Sequence, residues 1–426
     1  MLTLSKYTGT GGYLKGDPED FIVREITKNG TELQMNTRYS PADLSEENPT
    51  DGKFTTFVLQ KKNWDTNSAI LEIAKKLRRG RKSVSYSGSK DKTSISVQLA
   101  SIFGVKPEDV MRIHIKDISI NGAWQSNGLK LGDNLGNAFT VKISETKNPE
   151  NAEKIFEELN GRFPNYFDKQ RFGYRLNNPK IGMLIIRNDM KGAVMSLLTD
   201  PENESNEAAR EARERLSMEM DFKSALSYFP RYLRSERSIL SYLSRFENYT
   251  NAIRAMPRGV SLFFIHSVES LIFNMALERM VRENNFESTM YCDADIYGFY
   301  NVDSSKKDSK GIAPVGNLVG YETNKEEITD YENEAMEFLG ITPEDFRIRH
   351  LPELSMRGSK RSLMAPVKGL SSIRLEDGLT VNFSLQSGSY ATILLNEITK
   401  SSTFKLDDIL SMLDTENSSQ NAERIK

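Results

Sequence analysis

Apolar and polar positions follow two different rhythms along this chain. β-prone runs predict strands over 54–59, 94–103, 113–118, 137–143 and, with strict alternation, 379–385. Phe21, Val23 and Ile26 predict a further short strand after the Asp17-Pro18 turn. Ala69, Ile70, Ile73, Ala74 and Leu77 recur at helical spacing. They predict a helix over 67–77, with Thr66 or Asn67 as the cap and Gly80 as the stop. Shorter helices are expected over 106–110 and 149–159. From about Ile181 the rhythm becomes mostly helical, with charged faces over 204–216, 237–246 and 261–283. The alternating charges of 204–216 read as a solvated face. The polar segments 29–53 and 304–316 read as loops, and the tail from residue 414 as a disordered end.

A chain of 426 residues exceeds one hydrophobic core and predicts two domains. With 38% hydrophobic and 27% charged residues it has the composition of a soluble globular protein. The longest apolar candidate, 261–277, is broken by His266 and Glu269, so no membrane span is expected. The first dozen residues lack a signal-peptide core. The single cysteine, Cys292, has no internal disulfide partner, which fits a reducing cytoplasm. With only three histidines beside it, a Cys/His zinc site is not expected.

Net charge is −2, yet the segment from Lys61 to Lys92 holds ten basic residues against three acidic ones. Arg78, Arg79, Arg81 and Lys82 are its densest part and read as phosphate contacts. Inside this basic stretch, two β-prone runs flank the turn Gly88-Ser89-Lys90-Asp91-Lys92. A carboxylate between two lysines is placed to stay ionised. Further on, 164–173 reads PNYFDKQRFG, aromatic rings interleaved with Lys169 and Arg171. Such a stretch suits an unstacked base with its phosphates neutralised, and Asn165 offers the donor and acceptor of a uracil edge. From the residues alone the chain carries an RNA-binding site of one carboxylate, two or three aromatics and a basic rim.

The Asp91 stretch resembles the signature of the TruD family of tRNA pseudouridine synthases. That motif is a glycine, one residue, Lys-Asp, and a Gln seven positions later; here Gly88, Lys90-Asp91 and Gln98. The resemblance recurs at Lys15 with the acidic-aromatic pair before Phe21, at Asn165-Tyr166-Phe167 with Gln170-Arg171-Phe172-Gly173, along 266–280, and at Gly388-Ser389-Tyr390-Ala391-Thr392. Gln386-Ser387 stands where the family usually has a proline before that glycine, so the loop shape there departs from the pattern. The resemblance implies isomerisation of uridine in tRNA, at uridine 13, with no cofactor and no metal. It implies Asp91 as nucleophile, Lys15 against it to keep it ionised, Phe21 as a stacking face, and Asn165, Phe167, Tyr390 and Gln98 as substrate contacts. The implied fold is α+β: a mixed, mostly antiparallel sheet flanked by helices. A catalytic domain of 1–185 and 361–426 is expected, interrupted by an inserted domain of 186–360. The expected protein is a monomer that takes tRNA as its partner and no membrane. Two other classes stay open here: a non-catalytic RNA-binding protein on the same scaffold, or a glycosidic-bond hydrolase. The latter needs a second carboxylate near the first, and the motifs supply none.

Overall fold

The computed structural model describes residues 1–45, 51–286, 288–307, 311–402 and 404–413. The tail from 414 lies outside the described residues. The chain opens with β1 (Phe21–Thr27), β2 (Phe54–Lys62) and helix α1 (Thr66–Lys76). Asp65, not Thr66 or Asn67, caps α1: its carboxylate accepts from the Ser68 amide at 2.9 Å. Ala69, Ile70, Ile73 and Ala74 form its buried stripe, as the spacing predicts. After α1 come β3 (Val84–Tyr86) and β4 (Ile95–Phe103), then a short helix α2 (Pro107–Met111). The next strand, β5, starts at Ile118 and runs to Ser126, so the strand expected over 113–118 lies further along. Residues 113–117 are instead used to turn, with Asp117 in the left-handed region at φ 62°. β6 (Asn134–Ser144), α3 (Asn151–Leu159) and β7 (Arg162–Pro164) complete this part.

The middle of the chain is largely helical: α4 (Asn178–Ile186), α5 (Met190–Thr199), α6 (Glu207–Glu219), α7 (Phe222–Tyr228), α8 (Arg234–Leu243), α9 (Tyr249–Arg254) and α10 (Arg258–Glu283). A small four-stranded sheet follows, of β8 (Met290–Cys292), β9 (Lys306–Lys307), β10 (Ala313–Leu318) and, after α11 (Asp330–Leu339), β11 (Ser359–Ser362). The loop expected to reach 316 therefore ends earlier: Ala313 and Val315 bury against Met290 and Cys292. The chain then returns with β12 (Met364–Leu375), β13 (Gly378–Gln386), α12 (Ala391–Thr399) and the short α13 (Leu406–Leu410).

β12 and β13 do not start a new sheet. They complete a nine-stranded one in the order β5-β2-β4-β1-β6-β13-β12-β7, with β3 on β4. Every pair in that order is antiparallel except β1 with β4. The fold is α+β with a mixed, mostly antiparallel sheet. The part of the sheet around β2 and β4 is covered on both faces. α1 packs on Phe57, Leu59, Ala100 and Ile102. On the other side Leu33 and Leu44 seal Val58, Val97 and Trp124. The polar segment 29–45 is thus packed against the sheet, because those two leucines are fully buried.

One apolar core runs from Val23 and Phe139 of the sheet through α3, α4 and α5 to α10. α10 is long and apolar enough by length and composition to cross a membrane, but 72% of its apolar window is buried inside the protein. His266 and Glu269, taken above as interruptions, pair with each other at 2.8 Å on this helix. The charged helix α6 also departs from expectation. Arg213 is fully buried, with its guanidinium on Glu204 at 3.3 Å, Glu236 at 2.9 Å and the Leu197 carbonyl. Periodic charge on its own cannot reveal which cation turns inward.

Removing one partner of a buried ion network leaves the other charges unpaired in a low-dielectric interior. Arg213→Ala should therefore lower unfolding stability by about 3–5 kcal/mol, measured by urea denaturation. A loss below about 1 kcal/mol, the size of a surface pair, would contradict this account of α6.

Candidate active site

The Asp91 turn is held from below by groups the sheet buries. Gln98 of β4 is fully buried; its amide donates to the Gly88 carbonyl at 2.9 Å and its oxygen accepts from the Thr66 hydroxyl at 2.9 Å. Thr66, the first residue of α1, also accepts from the Lys90 amide at 2.8 Å. Gln98 is thus a brace for the turn and not, as expected above, a surface offered to substrate. Gly88 has no positive φ, and a Cβ there would meet the Lys90 ammonium at 3.4 Å, an ordinary contact. The sharp turn rests on these hydrogen bonds rather than on glycine's backbone freedom.

The cations around Asp91 are arranged differently from the linear reading. Lys90 points inward, buried, and pairs with the buried Glu25 of β1 at 3.1 Å. The other Glu25 oxygen accepts from the Leu99 amide at 3.0 Å. Lys15 pairs with Asp377 at 3.5 Å and has no recorded contact with Asp91. The ammonium that lies under the turn is Lys61 of β2, counted above only as part of a basic run. It is fully buried and donates to the carbonyls of Trp64 (2.5 Å), Asp91 (3.1 Å) and Lys90 (3.3 Å). Burial lowers its pKa to about 8, helped by the charge of Lys90 and opposed by Asp91 and Asp65. Asp91 itself is exposed, and among the described residues its carboxylate has no ion-pair partner. Glu25, Lys61 and Thr66 escaped the sequence because each matters only through burial. Lys61 and Lys62 are adjacent lysines, and nothing local tells which of them turns inward.

The second group forms around Asn165 and Phe167. Asn165 is buried, and its amide is spent within the protein. Nδ2 donates to the Ser362 carbonyl at 3.0 Å, while Oδ1 accepts from Arg361 at 2.7 Å. In this structure Asn165 therefore offers no free edge to a uracil, contrary to expectation. Arg361 of β11 also donates to the carbonyls of Asn165 (3.0 Å) and Gly388 (3.1 Å), and its guanidinium lies 4.1 Å from the Phe167 ring centroid. One side chain thus joins the segment after β7, the small sheet and the loop before α12. Burial lowers its pKa to about 10, so it remains charged at neutral pH. Phe167 is fixed at both backbone ends by Asn274 of α10, which accepts from its amide at 2.9 Å and donates to its carbonyl at 2.8 Å. Tyr390 meets Phe167 edge-on at 6.2 Å, and burial raises the pKa of its phenol.

These two groups occupy one face of the large sheet. Phe21, Val23 and Glu25 share a face of β1 by strand alternation, and Glu25 holds Lys90. Phe21 touches Phe139 of β6 at 6.0 Å, and Phe139 stacks on Phe383 of β13 at 5.1 Å. Phe139, Phe383 and Phe167 belong to the same apolar cluster, with Phe21 and Tyr390 half-buried at its margin. The aromatic row thus runs from the Asp91 side toward the Phe167 side. Among the described residues, no group of three His, Cys, Asp or Glu side chains comes together to hold a metal.

The basic cluster is not beside Asp91. Asp91 lies at the N-terminal end of α1, whereas Lys75 and Lys76 are in its last turn and Arg78 and Arg79 follow it. Eleven helical residues separate the two by about 16 Å. Arg78 and Arg79 line a groove of about 1050 Å³ with Lys76, Lys106 and Arg112, and Lys82 is exposed nearby in sequence. Arg81 folds back instead, donating to Asn67 at 2.8 Å and the Val84 carbonyl at 3.0 Å.

Lys61 titrates near 10.5 when unfolded and about 8 when folded. Between those values the unfolded chain holds a proton that the native state has released, so unfolding takes up a proton and rising pH opposes it. The stability of the wild type relative to Lys61→Met should accordingly rise between about pH 8 and about pH 10.5, by up to about 1.4 kcal/mol per pH unit. Urea unfolding of both proteins across that window checks this; a constant difference would mean that Lys61 is not depressed.

Comparison with known proteins accords with this geometry. The sequence model of the family described as "tRNA pseudouridine synthase D (TruD)" matches residues 2–398. The chain is 31% identical to "Probable tRNA pseudouridine synthase D" of Thermococcus sibiricus, over 93% of this chain and 97% of that protein. It is likewise 31% identical to "Probable tRNA pseudouridine synthase D 1" of Methanocaldococcus jannaschii, over 93% and 98% of the two chains. The crystal structure titled "Putative tRNA pseudouridine synthase D (TruD)" from Methanosarcina mazei superposes with a TM-score of 0.72 at 26% identity, covering 96% of this chain and 97% of that one. The chain belongs to the TruD family of tRNA pseudouridine synthases.

Proposed function

We propose that this protein isomerises a uridine of tRNA, uridine 13, to pseudouridine with Asp91 as the nucleophile. The observation that carries this reading is the contrast at the turn. Lys61, Lys90, Gln98 and Thr66 are buried and committed, while the Asp91 carboxylate is exposed and uncommitted. A carboxylate held on a braced turn, with a buried ammonium on its own carbonyl, is pre-positioned to attack carbon. In the reaction the N1–C1′ bond breaks, the uracil turns, and C5 bonds to C1′; C5 loses a proton and N1 gains one. Phe21, half-buried at the margin of the apolar cluster, gives the flipped base a stacking face. Phe167 and Tyr390 form the opposite wall, and Asn165 acts by holding Arg361 and the wall in place. Lys15 serves Asp91 in this reading only by leaving Asp377 once RNA is bound. The catalytic domain comprises 1–185 and 361–426 and the module inserted within it 186–360, supported by β12 and β13 rejoining the large sheet. β11, at 359–362, straddles the second boundary. The protein acts as a cytoplasmic monomer.

Asp91→Asn keeps shape and hydrogen bonding but removes the charge needed for a covalent step. The variant should form no detectable pseudouridine with enzyme in excess, read by mass spectrometry after carbodiimide labelling. tRNA affinity should equal or slightly exceed that of the wild type. Substantial remaining isomerisation would sink the assignment, and unmodified tRNA with the wild type would leave a non-catalytic RNA binder.

Arg78 and Arg79 read as phosphate contacts in the groove beyond α1, with Lys82 as a further exposed cation close by in sequence. Replacing Arg78 and Arg79 with Ala should weaken binding to any tRNA about equally and make the salt dependence shallower by roughly one log–log unit per contact. An unchanged slope would show these side chains to be merely solvated.

A further inference from the structure

α8 carries a second cationic face, far along the chain from the Asp91 turn. Arg231, Arg234, Arg237 and Arg245 line a shallow groove of about 450 Å³ with Ser241 and Tyr242. α8 has a single acid, Glu236, and that carboxylate is turned inward onto the buried Arg213. The outer face is therefore left positive. Among the described residues none of the four arginines has a carboxylate within ion-pair distance. By contrast, Arg254 nearby pairs with Glu353 at 2.7 Å, and Arg258 donates to the Glu353 carbonyl at 3.0 Å. Arg237 is held by the Leu226 and Phe229 carbonyls, and Arg245 leans on Ser241 at 3.1 Å, while Arg231 and Arg234 are exposed. The start of α8 lies among them, and its cap residue, Leu233, has no side-chain acceptor to offer. Its positive dipole end adds to the same attraction for anions.

Two large rings are left in water beside these cations. Tyr232 and Phe246, 58% and 55% exposed, flank the two ends of α8, and Phe246 lies 5.1 Å from Tyr242. Cations alternating with exposed rings are the composition that holds unpaired nucleotides, phosphates on the guanidinium groups and bases on the rings. Arg234 and Arg245 stand about 16 Å apart along the helix direction, room for more than one phosphate.

We propose that the α8 face is a second RNA-binding surface. It takes the backbone of the same tRNA away from the reacting uridine, with Tyr232 and Phe246 as stacking faces for unpaired bases. This rests on the reading of tRNA as substrate. Its role is to orient the folded RNA across the inserted helices while the Asp91 turn receives one base.

The test measures full-chain binding to a tRNA transcript over a range of salt for three proteins: wild type, the triple variant Arg231→Gln, Arg234→Gln, Arg245→Gln, and the double variant Tyr232→Ala, Phe246→Ala. All substituted residues are exposed, and thermal unfolding midpoints equal to wild type establish that the variants are folded. The triple variant should bind about tenfold or more weakly at moderate salt, with a slope shallower by about two to three log–log units. The double variant should bind about five- to fiftyfold more weakly with an unchanged slope, as expected for lost stacking. A triple variant with wild-type affinity and slope would overturn the proposal and leave the face to an acidic protein partner. Pseudouridine formation by the wild type is scored on the same transcript. If it fails while binding still depends on the arginines, the substrate reading falls and the RNA surface stands. If it succeeds and the arginines do not matter, the surface falls and the reaction stands.

Discussion

The buried pair of Lys90 and Glu25 is the constraint on which the reactive turn depends. Two charges removed from water are costly unless each is paired and hydrogen-bonded. Here Glu25 satisfies both oxygens, one on Lys90 and one on the Leu99 amide, so the pair binds β1, β4 and the turn into one unit. Lys90 is drawn inward, while Asp91, Lys92 and Thr93 after it face solvent. Lys61 then donates from beneath the turn to the carbonyls of Trp64, Lys90 and Asp91, adding to the bonds that Thr66 and Ser94 make to the latter two. The arrangement separates two kinds of group: the buried cations fix position, and the Asp91 carboxylate stays exposed.

The opposite wall is held by a different means. Arg361 bonds Asn165, 196 residues away, and Gly388, 27 residues away, and lies against Phe167, joining three chain segments. A planar guanidinium suits this junction, because it can donate in several directions in its plane while an aromatic ring packs on its face. Asn274 adds a two-point clamp on Phe167 from the central helix α10. The helical middle of the chain therefore shapes the site without contributing an evident reactive group. The same separation holds in α6 and α8, where Arg213 draws Glu236 inward and leaves the outer arginines unopposed.

Much of the architecture was legible in the linear sequence. β-prone runs located β2, β4 and β6, strict alternation located β13, and the stripe of Ala69, Ile70, Ile73 and Ala74 located α1, because strand propensity and helix periodicity are local properties of the chain. The motif around Gly88, Lys90, Asp91 and Gln98 pointed to the family, and the mixed rings and cations of 164–173 to nucleic acid. What the sequence by itself could not determine was direction. Lys61, Lys90 and Arg213 look like any other cation in a charged run, and Asn165 and Gln98 like free amides. Lys15 looked poised for Asp91 but sits on Asp377. Whether a polar side chain faces water, a partner or a carbonyl depends on strands brought together from distant parts of the chain. β4 sets Gln98 under the turn, and β11 brings Arg361 onto Asn165. Burial and pairing are decided by those long-range contacts, so only the tertiary structure could separate the residues that hold this site from the carboxylate it exposes.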